Sequence, residues 1–238
     1  MEEWTLTKKY QTILFDIDDT LLDFKATENQ ALERLFSEID GINLNEHIKE
    51  DFRIFNQGLW KKLEQGKISR EQLLGTRFAD FFNNEFNLVV DNEKISRKYL
   101  TYLSKGHQEI EGARKLLTDL KNYGYDLYVV TNGIKRVQIP RLADSHFAQF
   151  FSQIFISEEV GFQKPNKNFF DFVFENIEGS KPQNSLIIGD SLTSDVLGGI
   201  NAGIDTIWFN PKNNKNLVKY KASYTVNNLF EINNILID

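Results

Sequence analysis

The chain of 238 residues contains five short apolar segments, each bounded by polar residues or glycine. They are four or five residues long and rich in β-branched side chains, which is typical of buried strands. Because they are apolar almost throughout, without alternating polar positions, we expect a sheet that is covered on both faces and therefore parallel. The predicted strands are 12–16, 127–131, 154–157, 186–190 and 206–209.

Helical patterns separate the later strands. Leu116, Leu117 and Leu120 recur at helical spacing within 113–122, and Gly124 follows as a plausible stop. Two further helices are predicted at 168–176, which repeats aromatic residues, and at 193–202, which ends before a glycine. The alternation of strands and helices predicts an α/β fold with a doubly wound, Rossmann-like parallel sheet.

The segment 24–104 interrupts this alternation because it contains no convincing buried strand. It has amphipathic helical patterns at 28–39, 54–63 and 70–82. We therefore expect an inserted α-helical domain over 24–104, and a core domain formed by 1–23 and 105–238. The aromatic residues of the insertion are typical of helix packing, although aromatic rings can also stack on a ligand. They include Phe52, Phe55, Trp60, Phe78, Phe81 and Phe82.

Composition narrows the possible partners. The formal net charge of −6 disfavours a nucleic acid polymer, since phosphate neutralisation dominates that affinity. The absence of cysteine excludes disulfides, thiolate metal sites and a cysteine nucleophile. The start of the chain lacks a secretory pattern, and no apolar run approaches the ~20 residues of a membrane helix. We expect a soluble, cytoplasmic protein without membrane contact, with an exposed loop at the Lys- and Asn-rich segment 210–221.

Acidic residues follow the first predicted strand. Asp16 and Asp18 are two residues apart in an extended segment, so both side chains can point into one pocket. Ligands of open α/β sheets bind beyond the carboxyl ends of the strands, and an all-oxygen site there suits Mg²⁺. A carboxylate can also attack phosphorus, while a second one transfers protons. The alternative is an acidic turn in which Asp19 or Thr20 caps a helix.

Three further segments place polar residues at or near later strand ends. Thr131 and Asn132, before a glycine, provide a hydroxyl and loop amides for phosphate oxygens. Lys164 at the head of a helix opposes the helix dipole unless an anion lies nearby, although a lone lysine is usually a surface residue. Asp190 ends a strand as a candidate metal ligand, and Asp195 follows in the first helical turn, where the dipole alone would favour an acid. One active site would collect all these residues.

The four segments resemble the ordered motifs of the haloacid dehalogenase superfamily. They are DIDDT at 16–20, TNG at 131–133, the lysine of GFQKP, and GDSLTSD at 189–195, and together they span nearly the whole chain. The resemblance implies an α/β core of that family with a helical cap domain, which closes over the site and selects the substrate.

The resemblance also implies a role for each residue. Asp16 would be the nucleophile and Asp18 the general acid and base. Asp16, the main-chain carbonyl of Asp18, and Asp190 would bind Mg²⁺, and Asp195 would support the metal site. From the ligand type alone, Mn²⁺ could substitute for Mg²⁺. The remaining roles concern the transferred group: Thr131 and the amide of Asn132 would hold phosphate, and Lys164 would neutralise its charge.

The resemblance favours a phosphatase. Dehalogenases of the superfamily lack an acid at the position of Asp18, whereas alkoxide leaving groups need a proton donor. The first motif, with Asp19 in place of glycine, resembles nucleotidases that act on pyrimidine 5′-monophosphates. The alternatives are a sugar-phosphate phosphatase such as an N-acylneuraminate-9-phosphatase, a phosphosugar mutase, or a noncatalytic binding protein on the same fold.

Overall fold

The computed structural model describes residues 9–216 and 219–237, so the predicted loop 210–221 lies partly outside the described residues. The chain divides into two compact units. The core unit comprises Met1–Asp23, Glu109–Lys135 and Ser145–Asp238, and the helical unit comprises Phe24–Gln108 and Arg136–Asp144. The segment 24–104, which the sequence predicts as an insertion, lies within the helical unit. No described helix combines the length and apolar character that a membrane crossing needs.

The core unit is built on one sheet of parallel strands in the order β3-β2-β1-β4-β5-β6. This is the strand order of a doubly wound dinucleotide-binding sheet, and it confirms the predicted fold class. The five predicted strands agree with the structure to within one residue at each end. The strands are β1 (Thr12–Phe15), β2 (Asp126–Thr131), β3 (Gln153–Ile156), β4 (Ser185–Gly189), β5 (Asp205–Phe209) and β6 (Tyr224–Val226).

The edge strand β6 was not predicted. It has three residues, of which only Val226 is buried, so it lacks the apolar run that marks the other strands.

Helices connect the strands and form the second unit. In the core unit they are α5 (Ala113–Asn122), α7 (Ser157–Val160), α8 (Lys167–Glu175), α9 (Leu197–Ala202) and α10 (Glu231–Leu236). In and around the helical unit they are α1 (Phe24–Phe36), α2 (Glu46–Glu64), α3 (Arg70–Phe86), α4 (Asn92–Leu103) and α6 (Lys135–Asp144). Four of these helices, α4, α6, α7 and α10, were not predicted from the sequence. The predicted helix 193–202 is divided into a π-helical turn, Leu192–Val196, and α9.

Aromatic side chains form the interior of the helical unit. Phe52 packs against Phe78 at a centroid distance of 5.4 Å and against Phe81 at 5.1 Å, and all three are buried. Phe52, Phe78 and Phe81 are therefore packing residues, as the favoured interpretation of their pattern predicts. Phe55 and Trp60 are only partly buried. The same interior holds Glu28, which accepts hydrogen bonds from Tyr99 and from another buried side chain, Asn56.

Two adjacent glycines bring α9 close to its neighbours in the core unit. A Cβ atom on Gly199 would lie 2.4 Å from Cγ2 of Thr206 and 2.8 Å from Cγ2 of Ile187. A Cβ atom on Gly198 would lie 2.8 Å from the ring of Phe170. These glycines are costly for an isolated helix, and the close packing explains their presence.

We predict that Gly199→Ala lowers the free energy of unfolding by about 1–3 kcal/mol, because the added methyl group overpacks the contact with β4 and β5. Gly75→Ala is the matched control, since Gly75 lies on an exposed face of α3 with no other atom within 4 Å of its Cβ position. That control is expected to raise stability by about 0.5–1 kcal/mol. Urea unfolding measures both values, and unchanged or increased stability in Gly199→Ala would contradict the packing argument.

Candidate active site

The predicted site residues extend from the carboxyl ends of neighbouring strands. Asp16 follows β1, Thr131 ends β2, and Asp190 follows β4. Strand β1 pairs with β2 on one side and with β4 on the other, so these three ends adjoin at one edge of the sheet. The chain turns in opposite directions from β1, and such switch points are where ligands bind in open α/β sheets.

Asp16 lies at the end of strand β1 and continues its pairing with β4. Its backbone N–H donates to the carbonyl of Ile188 at 3.0 Å. The side chain is nearly buried, and its Oδ1 accepts a 2.7 Å hydrogen bond from Nζ of Lys164. Its Oδ2 receives only a 3.5 Å contact from the Thr20 hydroxyl among the described residues. This second oxygen is therefore the one that is weakly engaged.

Lys164 is completely buried, so it is not a surface lysine. Its Nζ donates to Asp16 at 2.7 Å, to Asp195 at 2.6 Å and to the carbonyl of Val130 at 2.7 Å. Burial alone would lower the pKa of Lys164, but the two adjacent carboxylates outweigh it and raise that pKa above its ordinary value. Lys164 lies three residues before α8 and not in its first turn. The acids that balance its charge, Asp16 and Asp195, belong to other segments of the chain.

Asn132 fixes the segment that carries this lysine. Its Nδ2 donates to the carbonyl of Lys164 at 2.8 Å, and the backbone N–H of Lys164 donates to its Oδ1 at 2.9 Å. The hydroxyl of Thr131 accepts the N–H of Gly133 at 3.0 Å, which shapes the loop after β2. The sequence predicted for Asn132 only that its amide binds phosphate. These two hydrogen bonds tether residues that are 32 positions apart, so no local pattern in the sequence could predict them.

Asp195 supports the loop after β4 from the π-helical turn. Its Oδ2 accepts the N–H of Ser191 at 3.0 Å, while its Oδ1 accepts from Lys164. Both carboxylate oxygens are therefore engaged by protein donors. A Cβ atom on Gly189 would lie 2.2 Å from this carboxylate, so the close approach requires glycine there.

Sequence reasoning missed a neighbouring donor: the indole N–H of Trp208 donates a hydrogen bond to the main-chain carbonyl of Asp190 at 2.8 Å.

Three carboxylates converge in a way that fits a divalent cation. Asp16, Asp190 and Asp195 each offer an oxygen within 4.8 Å of the others. Burial is the main cause that raises the pKa of both Asp16 and Asp190; Lys164 opposes the shift, and repulsion by the neighbouring acids adds to it. A cation would relieve this repulsion, and carboxylate oxygens are the ligands that Mg²⁺ prefers. Each oxygen of Asp195 already accepts a hydrogen bond, so fewer lone pairs remain there for a cation than on Asp16 and Asp190.

Asp18 lies half-buried in a tight turn that follows β1. The N–H groups of Leu21 and Leu22 both donate to the carbonyl of Ile17, and Asp19 adopts a left-handed conformation with φ 55°. The negative charge of Asp18 is close enough to contribute to the raised pKa of Asp16. The carboxylate of Asp18 is outside the three-acid cluster, which is compatible with a metal contact made by its main-chain carbonyl.

The structure thus brings the four predicted segments together within the core unit. Asp16, Lys164 and Asp195 are joined by direct hydrogen bonds. Asp190 joins them through the acid cluster, and Asn132 through its tether to the lysine segment. The interpretation of the first motif as a simple capping turn is inconsistent with this convergence, because a cap would not require a buried lysine from 148 residues away.

Comparisons with known proteins agree with this arrangement. Residues 13–209 match the family model described as haloacid dehalogenase-like hydrolase. The chain is 43% identical to HAD-hydrolase YfnB of Bacillus subtilis, and the alignment covers 96% of each protein. It is 42% identical to pyrimidine 5′-nucleotidase PynA of Streptococcus pneumoniae, with 91% of each covered. It is 30% identical to pyrimidine 5′-nucleotidase YjjG of Escherichia coli, with 96% of this chain and 98% of YjjG covered.

A solved structure extends the likeness to three dimensions. The crystal structure of YfnB from Bacillus subtilis bound to magnesium superposes with a TM-score of 0.90 at 43% identity, covering 97% of this chain and 100% of that one. The family model covers well over half of the chain and includes every predicted site residue. The protein belongs to the haloacid dehalogenase-like hydrolase family.

Proposed function

We propose that the protein is a Mg²⁺-dependent phosphatase that hydrolyses small phosphate monoesters through a phosphorylated Asp16. The observation that carries the proposal is the placement of Asp16: one carboxylate oxygen is bound by Lys164 and the other is directed to no strong donor among the described residues. A carboxylate that is oriented by a cation, yet retains a weakly engaged oxygen, is prepared for nucleophilic attack.

In the first half-reaction, Oδ2 of Asp16 attacks the phosphorus atom while the bond between phosphorus and the ester oxygen breaks. Asp18 donates a proton to that oxygen, so the product leaves as an alcohol. In the second half-reaction, Asp18 accepts a proton from water, and the water oxygen attacks the phosphorus of the aspartyl phosphate. Inorganic phosphate leaves and the Asp16 carboxylate is restored.

The remaining residues neutralise charge and position the phosphate. Lys164 stabilises the negative charge shared between Asp16 and the transferring group, because its ammonium is fixed by Asp195 and the Val130 carbonyl. The Thr131 hydroxyl and the amide of Asn132 hold phosphate oxygens. When bound by Asp16, the Asp18 carbonyl and Asp190, Mg²⁺ supplies positive charge against the phosphate oxygens, and Mn²⁺ suits the same oxygen ligands.

The proposed substrates are pyrimidine nucleoside 5′-monophosphates. Two relatives that align with this chain over nearly their full lengths, PynA and YjjG, are named pyrimidine 5′-nucleotidases, and this supports the proposal. We also propose that the helical unit is the cap that selects among substrates, and that the enzyme acts in the cytoplasm without a nucleic acid polymer or membrane as partner. A sugar phosphate such as N-acylneuraminate 9-phosphate would use the same chemistry, and a mutase would retain the motifs while moving phosphate within one sugar.

We predict that Asp16→Asn reduces phosphate release at least about a thousandfold, because the amide cannot attack phosphorus. The assay measures phosphate released with Mg²⁺ from UMP, dUMP, dTMP, purine monophosphates, sugar phosphates and N-acetylneuraminate 9-phosphate. Wild-type activity is expected to be highest on the pyrimidine monophosphates and to disappear when EDTA removes the metal.

Asp19→Asn is the matched control for that variant. It removes a carboxylate from the same turn, and asparagine tolerates the left-handed backbone of residue 19. The control should retain most activity. Equal activity of wild type and Asp16→Asn would exclude the mechanism. Preference for a sugar phosphate would keep the mechanism and reject the nucleotide substrate, whereas isomerisation without net phosphate release would identify a mutase.

A second prediction concerns Trp208, which we infer to be a positioning residue for the metal site. Its indole N–H holds the backbone of Asp190, so Trp208→Phe frees that carbonyl while retaining an aromatic ring. Loss of such outer contacts commonly weakens metal binding, and we expect a Mg²⁺ dissociation constant about tenfold higher. Titration calorimetry measures it, with Trp60→Phe in α2 as the same substitution outside the site. Equal Mg²⁺ affinity in both variants would show that the indole contact has no role.

A further inference from the structure

The helical unit carries a basic pocket that takes no part in the proposed mechanism. It is a cavity of about 320 Å³, and its size is at the lower end for small-molecule sites. All of its lining residues belong to the helical unit, and none is among the candidate active-site residues. The lining consists of Lys94, Arg97, Lys98, Thr101, Tyr102 and Arg136.

Positive charge is concentrated on one face of α4. Lys94, Arg97 and Lys98 are spaced by three and four residues, so they are neighbours on the helix surface. Like charges at this spacing oppose helix formation by about 0.2–0.5 kcal/mol for each pair. The chain as a whole has more acidic than basic residues, with 34 against 28, so this concentration departs from its average surface.

A fourth cation reaches the pocket from a different helix. Arg136, in the first turn of α6, directs Nη2 toward the Thr101 hydroxyl at 3.5 Å. A solvated basic face on one helix would not explain why a second helix adds its guanidinium to the same cavity. The arrangement instead brings charged donors from two helices to one open depression, and charge-assisted hydrogen bonds of this kind are the strong ones for an oxyanion.

Internal acids compensate only part of this charge. Lys98 pairs with Glu38 at 2.5 Å, and Arg97 with the exposed Glu93 at 3.3 Å. Within residues 9–216 and 219–237, the side chains of Lys94 and Arg136 have no acidic partner. Counted by ion pairs, the four cations of the pocket exceed their acidic partners by two, and two further acids, Asp40 and Asp91, line an adjacent depression that Lys94 and Lys98 also border. A phosphate group of charge near −2 would balance that excess.

We propose that this basic pocket is a second binding site, specific for the phosphate group of a small soluble molecule. The Lys94 ammonium and the Arg136 guanidinium bind the phosphate oxygens directly, and Arg97 adds charge at the rim. The Thr101 and Tyr102 side chains form part of the wall, and their hydroxyl protons are already donated to the carbonyl of Arg97 and to Glu38. Unlike the acidic candidate active site, the basic pocket needs no metal ion to bind an anion.

The test measures phosphate binding with EDTA present, since the metal-free acid cluster repels phosphate. Calorimetric titrations at low salt use three probes: orthophosphate, tripolyphosphate and ATP. The double variant Lys94→Glu with Arg97→Glu is expected to weaken binding at least about tenfold, because it replaces two attractive charges with two repulsive ones. The matched control is Lys61→Glu with Lys62→Glu, which makes the same charge change on exposed residues of α2 and should leave affinity within about twofold.

A second readout locates the ligand. Acylation of lysines by an N-hydroxysuccinimide ester, followed by mass spectrometry, should show that the probe protects Lys94 and leaves Lys61 reactive. Binding of orthophosphate would identify free phosphate as a sufficient ligand, and binding of tripolyphosphate and ATP alone would identify a phosphate chain; both support the proposal. No binding of any probe, equal loss in both double variants, or unprotected Lys94 would overturn it. None of these outcomes depends on hydrolysis, so the proposed function is tested separately.

Discussion

The buried ammonium of Lys164 is the interaction on which the candidate site depends. It joins Asp16 after β1, the carbonyl of Val130 in β2 and Asp195 after β4, so one side chain links three strand-end segments. Two carboxylates at this depth would be strongly unfavourable without it. Breaking a buried ion pair by removing one partner commonly costs about 3–5 kcal/mol, so this contact also constrains the fold.

The backbone around this cluster is arranged so that the charged groups can approach one another. Gly189 leaves room for the Asp195 carboxylate, and the N–H of Ser191 engages its second oxygen. Asn132 binds both backbone groups of Lys164, so the lysine segment and the loop after β2 are fixed together. Charge supplied by a cation and by Lys164 is what phosphoryl transfer chiefly requires, because positioning and neutralisation provide most of its catalysis.

The sequence predicts the sheet well because the central strands are continuous apolar runs between polar ends. It also predicts the convergence of Asp16, Lys164 and Asp190, since the carboxyl ends of parallel strands meet at one edge. The contacts it misses depend on the register between strands. Trp208 lies opposite Gly189 in the pairing of β4 with β5, and only this register brings its indole to the Asp190 carbonyl.

Other features could not be predicted from the sequence, either because the segment is too polar or because the contact depends on distant parts of the chain. Strand β6 is too short and polar to show an apolar run, and α4 has a largely charged face that resembles a solvated surface. The burial of Glu28 among aromatic residues depends on hydrogen bonds from two other helices. The basic pocket likewise requires Arg136 to meet α4, where Thr101 is 35 positions earlier in the chain.

The most direct test of the account is to trap the covalent intermediate on Asp16. The wild-type protein would be mixed with Mg²⁺ and a phosphate monoester that it hydrolyses, quenched with acid during turnover, and reduced with borohydride. Tandem mass spectrometry of the peptide containing residues 16–20 would then locate any reduced side chain. The account predicts conversion of Asp16 to homoserine in the presence of substrate and metal. An unmodified Asp16 during active turnover, or a modification on another residue, would contradict it.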